Sequence, residues 1–401
     1  MSENYTLMVS AVSTLIAPSI WGIMRGLETF SQLFYLSKCY KDVLINSTEI
    51  EDYPNYKHRG LLLDTSRHFI SVPNILMTLD AMAMNKMNVF HWHIVDDQSF
   101  PYQSVKFPEL SGLGAYWPTL IYTRPAMEKI RDHARGIGVR VIIEIDMPDH
   151  ALSWGMSHPE IITVCARDRR PMNPIKNETY ILVGALLREV QELFPDTYIH
   201  LGGDEVTAEC WIENKGIQEY MEKHNMTSSN DLSTLFYKRI VSFLKEDTRT
   251  IVWEESYEAN VPFARDTLVQ VWKNERLTAE LLNGGRFVLQ SSGYYLDQLG
   301  TTFTKFYKVE PRLAVKDKVA NETLLQNLVG GEACMWGEMM DDANVISRVW
   351  PRTSAIAEVL WSDTRREVTS QVLQRAEEQV CRMKRRRIHA EPSSGPGFCV
   401  L

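Results

Sequence analysis

The sequence predicts a (β/α)₈ barrel of the α/β class with a small segment ahead of it, and three observations carry that prediction. From His58 onward, eight short β-rich runs alternate with helical periods, as strands joined by helical crossovers do in a parallel sheet. No G-x-G-x-x-G or Walker pattern follows an early run, which removes the signature of the rival doubly wound sheet. Nearly every run also ends on a carboxylate or an aromatic ring, and in a barrel these ends converge on one mouth.

Taken in order, Tyr5 to Leu15 reads as a strand. Ser19 followed by Ile20, Met24, Leu27, Phe30 and Phe34 gives the cap and spacing of an amphipathic helix. The uncharged stretch Met8 to Met24 is broken by serines and Pro18. No stretch reaches the roughly 20 apolar residues that cross a bilayer, so no membrane span is expected. The leader Met1-Ser2-Glu3-Asn4 carries an acid where a signal peptide carries a base.

The eight runs are Arg59–Asp64, Val89–Ile94, Arg140–Asp146, Tyr198–Gly202, Thr250–Trp253, Leu268–Trp272, Arg286–Gln290 and Leu328–Trp336. Helical segments read between them at Asn74–Met84, Arg124–His133, Tyr180–Leu193, Asp231–Leu244 and Thr278–Leu282. The 401 residues, 44% hydrophobic and 23% charged, suffice for one large core. A net charge of −8 argues against nucleic acid as a partner, and the basic run Lys384–Arg387 reads as a solvated helix end.

Five Asn-x-Ser/Thr acceptors, at Asn4, Asn46, Asn177, Asn225 and Asn321, favour a secretory route. The six cysteines point the same way, since Cys381 and Cys399 flank a Pro/Gly/Ser-rich loop that a disulfide would pin.

The run ends gather Asp64, Asp96, Asp97, Asp146, Asp204, Glu205, Trp253, Glu254, Trp272, Tyr295, Trp336 and Glu338. Tryptophan faces cover the apolar C–H patches of a pyranose while carboxylates take its hydroxyls, so the mouth reads as a sugar site. Dinuclear metal hydrolysis is the chemical rival, suggested by His91, His93, Asp96, Asp97 and His150. Strand alternation puts His91 and His93 on one face with Trp92 on the other, and such a pair reads equally as core histidines donating to backbone. No metal and no cofactor is expected. Asp204 and Glu205 are adjacent at a strand end and point apart, so they serve different substrate atoms: one carboxyl protonates the departing oxygen, the other stays ionised.

Five segments together resemble glycoside hydrolase family 20, the animal lysosomal-type β-N-acetylhexosaminidases. They are His58–His68, Asn88–Asp97, His200–Val206, Gly330–Glu338 and Trp350–Arg352. The resemblance implies retaining, substrate-assisted removal of terminal GlcNAc or GalNAc, with the acetamido oxygen as nucleophile. Glu205 would be the acid and base, and Asp204 the stabiliser of the oxazolinium. Arg67 would fork onto the 3- and 4-hydroxyls with Asp96 and Glu338; Trp253, Trp272 and Trp336 would wall the pocket; Tyr295 would bond the acetamido oxygen. His150 and Asp146 would support the pair, and Asp297 would face the 6-hydroxyl. Disulfides Cys165–Cys210 and Cys381–Cys399, free Cys39 and Cys334, a homodimer or a heterodimer with a related subunit, and a lysosomal or secreted location follow from the same resemblance. So do the domain limits: residues 1–50 as the truncated C-terminal remnant, strand plus helix, of an α+β domain, and 51–401 as the catalytic barrel.

Two positions bear on specificity and activity. Tyr295-Leu296 is followed by Asp297-Gln298 where members that accept anionic 6-substituted sugars carry Asn-Arg, so neutral sugars should be preferred. Pro148-Asp149-His150 stands where the family has Pro-Gly-His; a side chain there is expected to strain the loop presenting His150. That strain and the incomplete first domain give the alternative reading, an impaired family member that only binds N-acetylhexosamine.

Overall fold

The computed structural model describes residues 2–399 apart from Lys38, Tyr40, Arg169 and residues 363–366. Eight parallel strands close into a barrel in chain order: His58–Asp64, Val89–His93, Arg140–Glu144, Tyr198–His200, Arg249–Trp253, Leu268–Val271, Phe287–Gln290 and Leu328–Met335, the last pairing with the first. Each of the eight predicted runs is one of these strands. The predicted helices are present as Val72–Met84, Arg124–Gly136, Asn177–Leu193, Ser229–Val241 and Glu275–Asn283.

The main core lies between the strands and their surrounding helices, where the outward residues of each strand are buried, Phe90 and Trp92 of the second among them. Inside the barrel the filling is layered. Val89, Ile142, Ile251, Leu268 and Leu289 plug its floor. Above them the inward positions are polar: His91, Glu144, His200, Gln270 and Glu332 are all buried. His91 and His93 do share the inner face, but they bind carboxylates rather than the backbone acceptors expected of core histidines. His91 Nδ1 lies 2.6 Å from Glu332 and His93 Nδ1 2.6 Å from Glu144. A charge carried into a dry interior persists only if paired and hydrogen-bonded, and this ring of acids and imidazoles meets that condition.

Ahead of the barrel, Tyr5–Val9 pairs antiparallel with Thr14–Ile16 and Thr48–Asp52. The stretch read as one strand is therefore two, because residues 10–13 turn between them. Ser19 caps the helix Ile20–Gln32 by accepting from Trp21 and Gly22; Phe34 lies beyond its end. The basic run sits where expected, at the end of the helix Ser370–Arg385, and Arg386 reaches back to Glu28 at 2.8 Å.

This small unit is tied to the barrel floor by ion pairs. Glu3 accepts from Arg25 Nε at 2.8 Å and from Arg59 Nη2 at 2.7 Å, all three side chains being buried. The remaining donors of Arg25 go to the carbonyls of Met87 and Gly138. Burial raises the Glu3 carboxyl, yet the two guanidiniums outweigh it and hold it below its ordinary value. Glu3→Ala should lower stability by about 3–5 kcal/mol, because it strands two buried guanidiniums. A denaturant midpoint unchanged from wild type would contradict this.

Candidate active site

A cavity of about 350 Å³ opens at the C-terminal mouth of the barrel, lined by Arg67, His150, Asp204, Glu205, Trp253, Trp272, Tyr295, Asp297, Trp336 and Glu338. A larger hollow of about 830 Å³ lies between the N-terminal helix and the C-terminal helices, with none of these groups. Of the residues expected at the mouth, Asp64, Asp96, Asp97, Asp146 and Glu254 do not line the cavity; all of these but Asp97 are buried.

The two adjacent acids owe their placement to glycine. Gly202 and Gly203 have φ of 64° and 101°. A Cβ on Gly202 would lie 1.7 Å from Asp146 Oδ1, and one on Gly203 would lie 2.1 Å from Ser256 Oγ, so no larger residue fits the approach. The chain then turns through Glu205, itself at φ 50°. Asp204 points inward with a side chain 13% exposed, while that of Glu205 is 48% exposed.

Beneath them, Asp146 Oδ1 accepts from the Gly203 N–H at 2.9 Å. Burial, then the charge of Asp204, pushes the Asp146 carboxyl well above its ordinary value; like charges this close do not both ionise. Asp204 Oδ1 is buried with no hydrogen-bond partner among the described residues, which leaves an open acceptor at the pocket floor.

Asp96 gathers the cations. Its Oδ2 lies 2.7 Å from His93 Nε2 and 2.9 Å from Arg67 Nη2, and its Oδ1 lies 3.1 Å from His150 Nδ1. These partners overcome its burial and hold its carboxyl far below the usual carboxylate range. Arg67 is fixed from the other side by Asp64 Oδ2 at 3.0 Å, and its guanidinium lies 5.1 Å from the Trp336 ring. Asp64 also accepts the Gly337 N–H at 2.9 Å, joining the first strand's end to the last. The other face of His150 meets Asp204 at 3.5 Å and Glu205 at 3.9 Å.

The aromatic wall packs as one cluster. Trp272 stacks on Tyr295 at 5.8 Å, and Trp336 lies 5.9 Å from Trp253. The indole N–H of Trp253 donates to Glu144 at 2.7 Å, and that of Trp272 to Glu255 at 3.1 Å. Burial pushes the Tyr295 phenol well up, so it stays protonated and able to donate. Asp297 is raised to about 6 by burial and by the neighbouring Glu338.

Glu144, Glu332 and Glu255 escaped the sequence reading. Each is the hidden partner of a residue that was singled out, and only strand alternation could have flagged Glu144 and Glu332 as inward. The groups behind the metal rival bind one another: His93 and His150 share Asp96, and Asp97 accepts the Leu152 N–H at 2.9 Å. Among the described residues three trios, such as Asp96, Asp146 and His150, approach within 4.8 Å, close enough to hold a cation; the imidazole nitrogens facing these acids already engage them. The expected strain at Asp149 is absent. The left-handed backbone falls on His150, at φ 56°, while Asp149 is buried and hydrogen-bonded.

Disulfides join Cys165 to Cys210 and Cys381 to Cys399, leaving Cys39 and Cys334 free. All five glycosylation acceptors are exposed.

The sequence pattern of "Glycosyl hydrolase family 20, catalytic domain" matches residues 56–364, and one described as "beta-acetyl hexosaminidase like" matches residues 1–33. The chain is 41% identical to the rat beta-hexosaminidase subunit alpha, over 99% of this chain and 77% of that protein. It is 42% identical to the human beta-hexosaminidase subunit beta, over 99% and 73%. Among solved structures it is similar to a Flavobacterium johnsoniae chitobiase, at a TM-score of 0.89 and 32% identity, covering 96% of this chain but only 60% of that one.

Burial alone would depress the His150 imidazole, yet Asp204 and Asp96 outweigh it and raise it to about 9, with Arg67 opposing. A folded-state value above the unfolded one, about 6.5, means stability that is fully present below pH 6.5 and lost as pH rises through about 9. The stability gap between wild type and His150→Gln should therefore be widest below pH 6.5 and shrink toward pH 10. Denaturation across that range checks it, and a flat gap would contradict it.

Proposed function

The chain belongs to glycosyl hydrolase family 20, and on that premise we propose how its pocket removes a terminal N-acetylhexosamine. The enzyme is an exo-β-N-acetylhexosaminidase acting on non-reducing terminal GlcNAc with retention. The single observation that carries the assignment of roles is the unpartnered, buried Asp204 Oδ1 beside Asp146, whose carboxyl is pushed well above its ordinary value by burial. It supplies a fixed anionic acceptor in a site walled by indoles.

In this reading the sugar lies against Trp336, and its 2-acetamido group enters the space between Trp253, Trp272 and Tyr295. Asp204 accepts the acetamido N–H, and the Tyr295 hydroxyl donates to the carbonyl oxygen, turning that oxygen toward the anomeric carbon. Glu205, the more exposed acid, protonates the glycosidic oxygen as the acetamido oxygen bonds to C1. The ring so formed carries positive charge, which Asp204 stabilises, and Glu205 then draws a proton from the water that opens it. The Asp146 carboxyl is pushed well up and that of Asp96 is held far down, so Asp96 carries the negative charge that Arg67 and His150 meet. Arg67 forks onto the 3- and 4-hydroxyls, backed by Asp64 and Asp96, with Glu338 completing that side.

Asp297 faces the 6-hydroxyl and repels anionic substituents there. Terminal GalNAc, which differs at the 4-hydroxyl, is also a substrate. The relatives named as alpha and beta subunits support a dimer, of two copies or with a related subunit. Five exposed acceptors and two disulfides support a lysosomal or secreted setting with N-glycans at Asn4, Asn46, Asn177, Asn225 and Asn321. No helix among the described residues is long and apolar enough to cross a membrane. The antiparallel sheet and helix ahead of the barrel and the separate match over residues 1–33 support a unit at residues 1–50 apart from the barrel of 51–401, although the sheet's strand Thr48–Asp52 runs two residues past that limit. The reading as a binding protein without turnover loses one of its two grounds, since Asp149 is accommodated.

Glu205→Gln should cut kcat/KM for substrates with poor leaving groups by about 10²–10⁴-fold and that for activated aryl glycosides far less; near-normal values on both would refute the role. A 6-sulfated aryl glycoside should turn over at least about tenfold more slowly than its neutral counterpart, since opposed like charges cost several kcal/mol. As Asp297 ionises near pH 6, that ratio should grow as pH rises through 6, and Asp297→Asn should flatten it. Equal rates for the two substrates at pH 7 would refute the assignment.

A further inference from the structure

We propose that Asp149 is a positioning residue for the general acid, clamping the loop that carries Glu205 to the loop that carries His150. The inference rests on Glu205 being that acid.

The carboxylate of Asp149 is 1% exposed and spans the two loops. Its Oδ1 accepts from the His150 N–H at 3.0 Å and its Oδ2 from the Thr207 N–H at 2.6 Å. Thr207 lies two residues beyond Glu205, and both Glu205 and His150 have left-handed backbone, at φ 50° and 56°. Such conformations cost a residue with a Cβ about 1–2 kcal/mol each and persist only where neighbouring bonds hold them. Upstream, the Asp146 carboxyl binds the Gly203 N–H; downstream, the disulfide fixes Cys210. Asp149 ties the stretch between. Hydrogen bonds to a buried charge are the strong ones, and the clamp joins the two strained residues whose side chains approach within 3.9 Å, His150 Nε2 and Glu205 Oε2.

The consequence is kinetic. Asp149 touches no substrate, so loosening it leaves the sugar-binding wall intact and lets the Glu205 carboxyl drift from the glycosidic oxygen. A misplacement of about 1 Å costs roughly 10²-fold in a step that needs alignment. That loss appears where protonation matters, on poor leaving groups, and fades where the leaving group departs unaided.

The test compares wild type, Asp149→Asn, Asp149→Gly and Glu205→Gln on two GlcNAc glycosides, methyl and 2,4-dinitrophenyl, with rates normalised to sites titrated by a thiazoline mimic of the oxazoline. Asp149→Asn turns an N–H donor against one of the two backbone donors; Asp149→Gly removes both acceptors without leaving a buried charge and covers the case in which the first variant folds poorly. The expected result is a kcat/KM on the methyl glycoside lower by about 10- to 100-fold. The dinitrophenyl glycoside should lose no more than about threefold in kcat/KM, which covers the steps through glycosidic bond cleavage and not the later one in which Glu205 acts as base, and the affinity for the thiazoline should be nearly unchanged. Equal loss on both substrates, or no loss on either, overturns the proposal. If Glu205→Gln shows the leaving-group dependence and the Asp149 variants do not, this inference alone fails; if Glu205→Gln lacks it, the reading of Glu205 fails and takes this inference with it.

Discussion

The carboxylate of Asp96 is the contact on which the catalytic mouth depends. One oxygen holds His93 and Arg67, the other holds His150, so a single buried anion orders residues from three strand ends. The barrel interior below extends the same logic through Glu144, His91 and Glu332. Each acid makes its neighbouring imidazole more basic, and each imidazolium keeps its acids ionised. A chain of this kind tolerates no single deletion, because any one loss leaves a charge in a dry interior without its partner.

Rigidity in this inner column is what permits strain at the surface of the pocket. Glu205 and His150 occupy left-handed backbone that a side chain disfavours, and two glycines pass between Asp146, Ser256 and Tyr237 with no room to spare. The acid therefore stands on a loop defined from below by packed charges and from the side by hydrogen bonds and a disulfide. Its partial exposure suits a group that exchanges protons with a leaving group and then with water, whereas the buried Asp204 suits one that meets a developing positive charge.

The resemblance alone made Asp149 look like damage, because a side chain replaces glycine in a catalytic loop. The tertiary structure reverses that expectation: the unusual dihedral belongs to the next residue, and the added carboxylate finds two backbone donors. Asp97 tells a parallel story, since it looked like a mouth residue and instead caps the Leu152 N–H.

Strand identity was legible in the sequence because parallel barrel strands are short, apolar and separated by helical periods, and the carboxylates and indoles at their ends mark the mouth. Period-two alternation also placed His91 and His93 on one face, opposite Trp92. Local pattern could not say what they would meet there, since Glu332 lies 241 residues from His91 and becomes its partner only when the last strand closes on the first. The same limit hid Glu255 behind Trp272 and the pairing of Asp146 with Asp204. The sequence by itself determined which elements form and which chemistry they carry to the rim; closure of the barrel decided which charges pair, and hence which carboxyl is neutral and which is ionised. The reason is physical: composition and spacing act along the chain, whereas a pKa is set by whatever the fold brings within a few ångströms.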